Sequence, residues 1–140
     1  PFVTTAQTKL ETLRIALDLT EEWDKLQEGK ENPSSLLTGV VIVRRAYAEE
    51  NPEALRKFLG YYKESVDFVN SSVEEAAELI GNYGIVPAAV AVKAIPACNI
   101  TLLEGEELKT KLSGYLAVLF EQNPAAVGGT LPADDFYFVK

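Results

Sequence analysis

A chain of 140 residues has room for one domain, and 47% hydrophobic with 24% charged residues suffice for a core under a hydrated surface. The formal charge of −8 excludes a nucleic-acid surface, which needs clustered Lys and Arg against phosphates, and equally an anionic membrane surface. His is absent, which removes the commonest general base and metal ligand and with it any Ser-His-Asp triad, and no apolar run approaches the roughly 20 residues that cross a bilayer. The chain begins at Pro1 and contains no Met, as expected of a processed, truncated or excised piece.

In chain order, residues 2–10 predict a short helix with Val3, Ala6 and Leu10 on one face. Leu13, Ile15 and Leu17 alternate with Arg14, Ala16 and Asp18, the pattern of a half-buried strand. Thr20 is the expected N-cap of the next helix, with Glu21 and Glu22 in its first turn, Lys25 and Lys30 towards its other end, and Gly29 as its stop. Residues 31–37 read as a polar loop around Asn32, Pro33, Ser34 and Ser35.

Val40, Val41, Ile42 and Val43 form a continuous β-branched run, which predicts a strand covered on both faces and ended by Arg44 and Arg45. Asn51-Pro52-Glu53 places a capping side chain before proline at the first position of a long helix. Leu55, Leu59, Tyr62, Val66 and Val69 give that helix one apolar stripe. Ser72-Val73-Glu74-Glu75 fits a reciprocal capping box, Ala76, Ala77 and Ile80 continue the second helix, and Gly81 or Gly84 ends it. Pro87 starts a short helix to about Ala94, closed by Pro96, and residues 100–103 read as a brief strand or an extended link. The last long helix covers 106–122, with Leu108, Leu112, Tyr115, Leu116 and Leu119 facing inwards. Asn123-Pro124 interrupts it, and Gly128-Gly129 leads to the tail Phe136-Tyr137-Phe138.

Only two segments read as convincing strands. A two-stranded sheet alone is marginal in water, so the run at 40–43 calls for neighbours from elsewhere in the same protein or from another chain.

The acid pairs, Glu21-Glu22, Glu49-Glu50, Glu74-Glu75, Glu106-Glu107 and Asp134-Asp135, sit mostly at helix starts, where negative charge favours the dipole rather than hydrolysis. Cys98, the single cysteine, is expected as a buried structural thiol. Asn70 and Asn99 head glycosylation triplets of the kind that chance produces, and neither GxxxxGK[ST] nor GxGxxG occurs. Trp23 is expected to pack against a neighbouring strand, and Tyr62 and Tyr115 to lie in the core. Arg44 and Arg45 suit an anionic ligand or plain solvation. Thr4-Thr5 and Thr38-Gly39 lie at element boundaries, where small hydroxyls serve as caps or donate to a ligand.

Taken in order, Pro1 with Thr4, the Glu21-Glu22-Trp23 helix after a Leu-rich strand, Thr38-Gly39-Val40-Val41, Asn51-Pro52-Glu53 with Phe58-Leu59, Glu74-Glu75-Ala76-Ala77, Tyr83-Gly84-Ile85 and Val127-Gly128-Gly129 before Leu131-Pro132 resemble one known family. It is the C-terminal portion of bacterial ABC-transporter substrate-binding proteins of the nitrate/sulfonate/thiamine-precursor class. The resemblance implies a helix-rich α/β fragment of the bilobed type II periplasmic-binding-protein fold. Residues 1–37 would be a remnant of the second lobe, 38–45 the strand returning to the first lobe, and 46–140 that lobe's helical end. It further implies a non-enzymatic protein without cofactor or metal, which captures a small organic or anionic solute in an interlobe cleft and delivers it to an ABC permease. Thr4, Thr5, Thr38 and Gly39 are the cleft residues it points to. Export to the periplasm or cell surface comes from the same likeness, as does a missing N-terminal part, or another copy, as structural partner.

Two other classes compete. One is a helical interaction module whose strand adds to a partner's sheet. The other is an enzyme of the pyrimidine-synthesis kind, which shares the fold.

Overall fold

Helix formation follows the caps, the proline at a first turn and the apolar stripes, and the computed structural model describes residues 1–31 and 33–139. Asn32 of the polar loop lies outside the described residues. The helices are α1 (Phe2–Lys9), α2 (Leu19–Gln27), α3 (Arg45–Glu50), α4 (Pro52–Ser71), α5 (Val73–Asn82), α6 (Ala88–Ala94) and α7 (Gly105–Gln122). Short 3₁₀ turns cover Ile95–Ala97, Pro124–Val127 and Asp134–Phe136. The fold is helix-rich, and no strand occurs among the described residues. Nor is any helix among them long and apolar enough to cross a membrane.

Both predicted strands are therefore corrected. The stretch 38–43 belongs to no helix and joins no ladder, and its side chains stand in solvent: Val40 is 51% exposed, Val41 53% and Ile42 81%. Leu13, Ile15 and Leu17 are likewise exposed. The physical reason is that a strand exists only with a partner to take its backbone hydrogen bonds, and the described residues supply helices instead. Arg45, read as the end of the strand, opens α3, a helix that the sequence reading missed although Ala46, Ala48, Glu49 and Glu50 are good helix formers.

The chain forms two compact units, one of Pro1–Arg14 with Val43–Leu102 and the other of Ile15–Ile42 with Leu103–Lys140. It thus passes between units after Arg14, after Ile42 and after Leu102. The first two passages fall within the apolar runs 13–17 and 40–43.

In the first unit, α5 lies on α6 through small side chains. Ala76, Ala77, Ala91 and Ile95 are its buried core, with Phe68, Val69, Val73, Ile80, Val86 and Val92 packed around them. Close approach is the reason for Gly81: a Cβ there would stand 3.1 Å from Ala88 Cβ and 3.2 Å from Ala88 N. Gly84 (φ +69°) ends α5, with its N–H on Gly81 O at 3.0 Å and the Ile85 N–H on Ile80 O at 3.1 Å, the two bonds of a Schellman stop. Of the α4 stripe, Leu55 and Val66 are buried and Leu59 and Val69 half-buried. Tyr62 is corrected: it is 36% exposed and stacks on Phe58, with ring centroids 5.8 Å apart.

Several caps differ from expectation. Asp18, not Thr20, caps α2, its Oδ1 accepting from Thr20 N at 2.8 Å and Glu21 N at 3.3 Å. Asn51 stands at the N-cap position of α4, but its Nδ2 donates to Tyr47 O at 3.2 Å and so closes α3. Ser72 makes no side-chain cap bond to α5, because α4 runs straight into that residue and takes its N–H on Phe68 O at 2.9 Å. Cys98, expected buried, is exposed, since the 3₁₀ turn after α6 buries Ile95 instead.

Two outcomes follow. Ala77 has no exposed surface, so Ala77→Leu forces extra atoms between helices and should destabilise the first unit by about 1–3 kcal/mol, read as a lower urea midpoint. The Cys98 thiol should react with a thiol reagent in native buffer about as fast as in denaturant; a strongly protected thiol would contradict its exposure.

Candidate functional site

The second unit is organised by a polar knot rather than by an apolar core. Asp18 starts α2 so that Trp23 and Gln27, one turn apart, share a face. Gln27 Oε1 accepts from Ser34 N at 3.2 Å and from Ser34 Oγ at 3.0 Å. Ser34 Oγ in turn accepts from Trp23 Nε1 at 3.2 Å. Gln27 and Ser34 are 7% and 4% exposed, so the knot is nearly dry, where such bonds are costly to break. The Trp23 ring lies against Tyr115 of α7 with centroids 5.3 Å apart and planes at 55°. Trp23 was expected against a strand; a helix aromatic takes that place.

Gly114 on α7 allows the loop to come this close. A Cβ at Gly114 would stand 2.8 Å from Ser34 Cβ, well inside contact distance. Next to it, Lys111 Nζ donates to Ser35 Oγ at 3.3 Å and stands 3.7 Å from Glu107 Oε1. Between α2, the loop and α7 lies a hollow of about 390 Å³, lined by Asp24, Gln27, Glu28, Gly29, Lys30, Pro33, Ser34, Ser35 and Lys111. Two acidic and two basic residues thus line one space.

Elsewhere in this unit Lys109 Nζ lies 3.1 Å from Asp134 Oδ1, and the bond to that carboxylate raises the ammonium above its ordinary range. Burial pushes the Tyr137 phenol up, partly offset by Lys109 nearby.

The first unit carries a second concavity of about 380 Å³ beside α4 and α5. Tyr61, Phe68, Val69, Leu79, Ile80, Tyr83 and Ile85 make it mostly apolar, with Glu64 and Ser65 as its polar members. Among the described residues no group of acidic or sulfur side chains is arranged to hold a metal ion.

The residues singled out from sequence are divided between the units. Thr4 and Thr5 lie half-buried within α1, where Thr5 N donates to Pro1 O at 2.9 Å and Thr5 O accepts from Thr8 Oγ1 at 2.7 Å. Thr38 and Gly39 belong to the second unit and are exposed in the extended stretch. None of the four lines either concavity. Asn70 has a structural role, its Nδ2 donating to Val66 O at 3.0 Å and Ile100 O at 2.8 Å. The acid pairs at Glu21, Glu74, Glu106 and Asp134 do occupy first turns, whereas Glu49-Glu50 ends α3.

Gln27, Ser34 and Lys111 were not foreseen. One signal was available: Gln27 occupies the position one turn after Trp23 on an inward face, and a polar side chain there needs a partner. Gly114 in mid-helix was a second, because such a glycine marks close approach. No family model, no curated protein and no solved structure matches this chain.

Gly114→Ala sets a helix-propensity gain of about 1 kcal/mol against overpacking of about 1–3 kcal/mol. The clash is with loop backbone and Cβ, which cannot swing away, so the second effect wins. The variant should unfold at lower denaturant and lose part of the Trp23 fluorescence change that marks native packing.

Proposed function

We propose that this chain is part of the solute-binding component of an ABC importer, a helix-rich portion of a bilobed type II periplasmic-binding-protein fold. The observation that carries the reading is the exposed, unpaired ribbon at 40–43, together with the similar run at 13–17. In the family that the chain resembles, two strands cross between the lobes, and the ligand lies in the cleft beside them. Here two apolar extended runs fall where the chain passes from one compact unit to the other, and nothing among the described residues pairs with them. Each Val or Ile side chain gains about 1.5–3 kcal/mol on full burial, so four such residues left in water are a strong reason for further strands.

The mechanism is non-covalent and needs no cofactor: a small organic or anionic solute binds two lobes and favours their closed arrangement over the open one. Thr4, Thr5, Thr38 and Gly39 are the proposed cleft residues, the permease and the remaining lobes are the proposed partners, and the proposed location is outside the cytoplasm. The division at 38–45 between lobes belongs to the same proposal.

The ribbon also favours a second reading, in which a partner's strand adds to it and the protein is an interaction module. Two measurements separate them. The intact gene product, purified without denaturant, should release a small solute in native mass spectrometry, and the coding sequence ahead of Pro1 should carry an export signal followed by alternating strand and helix. A product that retains and binds no small solute, with no such sequence upstream, overturns importer function. The interaction module instead predicts concentration-dependent association of the 140-residue chain that Ile42→Lys abolishes.

A further inference from the structure

We propose that the polar hollow of the second unit is a binding site for a small zwitterion, an ω-amino carboxylate in chemical class. This stands on the second unit alone and is independent of importer function.

The argument begins at Gln27. Its carbonyl oxygen is used twice, by Ser34 N and Ser34 Oγ, which fixes which way the amide faces. Its NH₂ group has no acceptor among the described residues, yet the side chain is 7% exposed and lines the hollow. No fully buried side-chain nitrogen or oxygen among the described residues is left without a partner, so this NH₂ keeps contact with solvent at the edge of a residue that lines the hollow. A donor held in one orientation beside a hollow is available to a ligand acceptor.

Beside it Lys111 brings an ammonium, steadied by Ser35 Oγ at 3.3 Å. An amide donor from α2 and an ammonium from α7, both on residues that line one hollow, suit a carboxylate. Asp24 on α2 and Glu28 at its C-cap, one turn apart, are two acids lining the same hollow. They repel a dianion such as phosphate and attract an amine. With Lys30 and Lys111 against Asp24 and Glu28, the formal charge of the lining sums to zero, which fits a ligand that is neutral overall with its charges apart. Chain acidity, −8 overall, further disfavours a bare anion.

Trp23 supplies the reporter, because it is the single tryptophan and its Nε1 donates into the same knot. The 140-residue chain should be titrated with glycine, β-alanine, γ-aminobutyrate and aminohexanoate, and separately with acetate, methylamine and inorganic phosphate, while Trp23 fluorescence is followed. At least one amino carboxylate should give a saturable change, and the three single-charge or dianionic probes should give none of comparable affinity. Gln27→Glu keeps the oxygen that Ser34 needs and replaces the free donor by an acceptor, so it should weaken binding by about tenfold or more with unchanged circular dichroism. Lys111→Gln should weaken it as well, while Lys57→Gln on α4 should not. A folded chain with no saturable response to any amino carboxylate overturns the proposal. So does equal binding of acetate or phosphate, or binding that survives both Gln27→Glu and Lys111→Gln.

Discussion

A helix closes its own backbone hydrogen bonds, but an extended segment closes none, and this difference governs the molecule. Helices α1–α7 need from one another only the burial of a stripe. The stretch 40–43 needs another strand on at least one side, and its β-branched side chains need cover above and below. Among the described residues it receives neither. The helices are thus satisfied within the described residues, while the most β-prone segment stands bare.

The cores that do form are thin, and they depend on small side chains. The buried hydrophobic residues among those described are Leu55, Val66, Ala76, Ala77, Ala91, Ala94, Ile95 and Leu112, half of them alanines. Alanine and glycine contribute little apolar area, but they let backbones approach, and dispersion over a close contact replaces the burial that a large side chain would supply. Gly81 against Ala88 and Gly114 against Ser34 are the two places where this approach is tightest. Large apolar residues such as Phe2, Ile42, Tyr83 and Ile85 meanwhile remain in water.

The second unit solves its packing differently. The bonds of Gln27, Ser34 and Trp23 fix one register of loop on helix, because a slip would leave a buried carbonyl or hydroxyl without its partner. The same bonds hold the Gln27 amide in one orientation and thereby make a rigid wall for the hollow. Surface pairs such as Lys25 with Glu22 and Lys63 with Asp67 are exposed and decide nothing of this kind.

The sequence alone determined the helices other than α3, wherever the signal is local. Pro52, the Glu pairs of first turns, the spacing from Leu55 to Val69, and Gly29, Gly84 and Gly128 as stops all act within a few residues of themselves. It also determined that the run at 40–43 is not helical, since β-branched side chains disfavour helix. Tertiary structure alone decided whether that run became a strand, because pairing depends on a neighbour that no local pattern contains. It decided in the same way that Cys98 is exposed and that Gln27 meets Ser34 across a loop. Each of these turns on which distant groups arrive at short range, and hydrogen bonds and packing, unlike helix propensity, exist only once they have arrived.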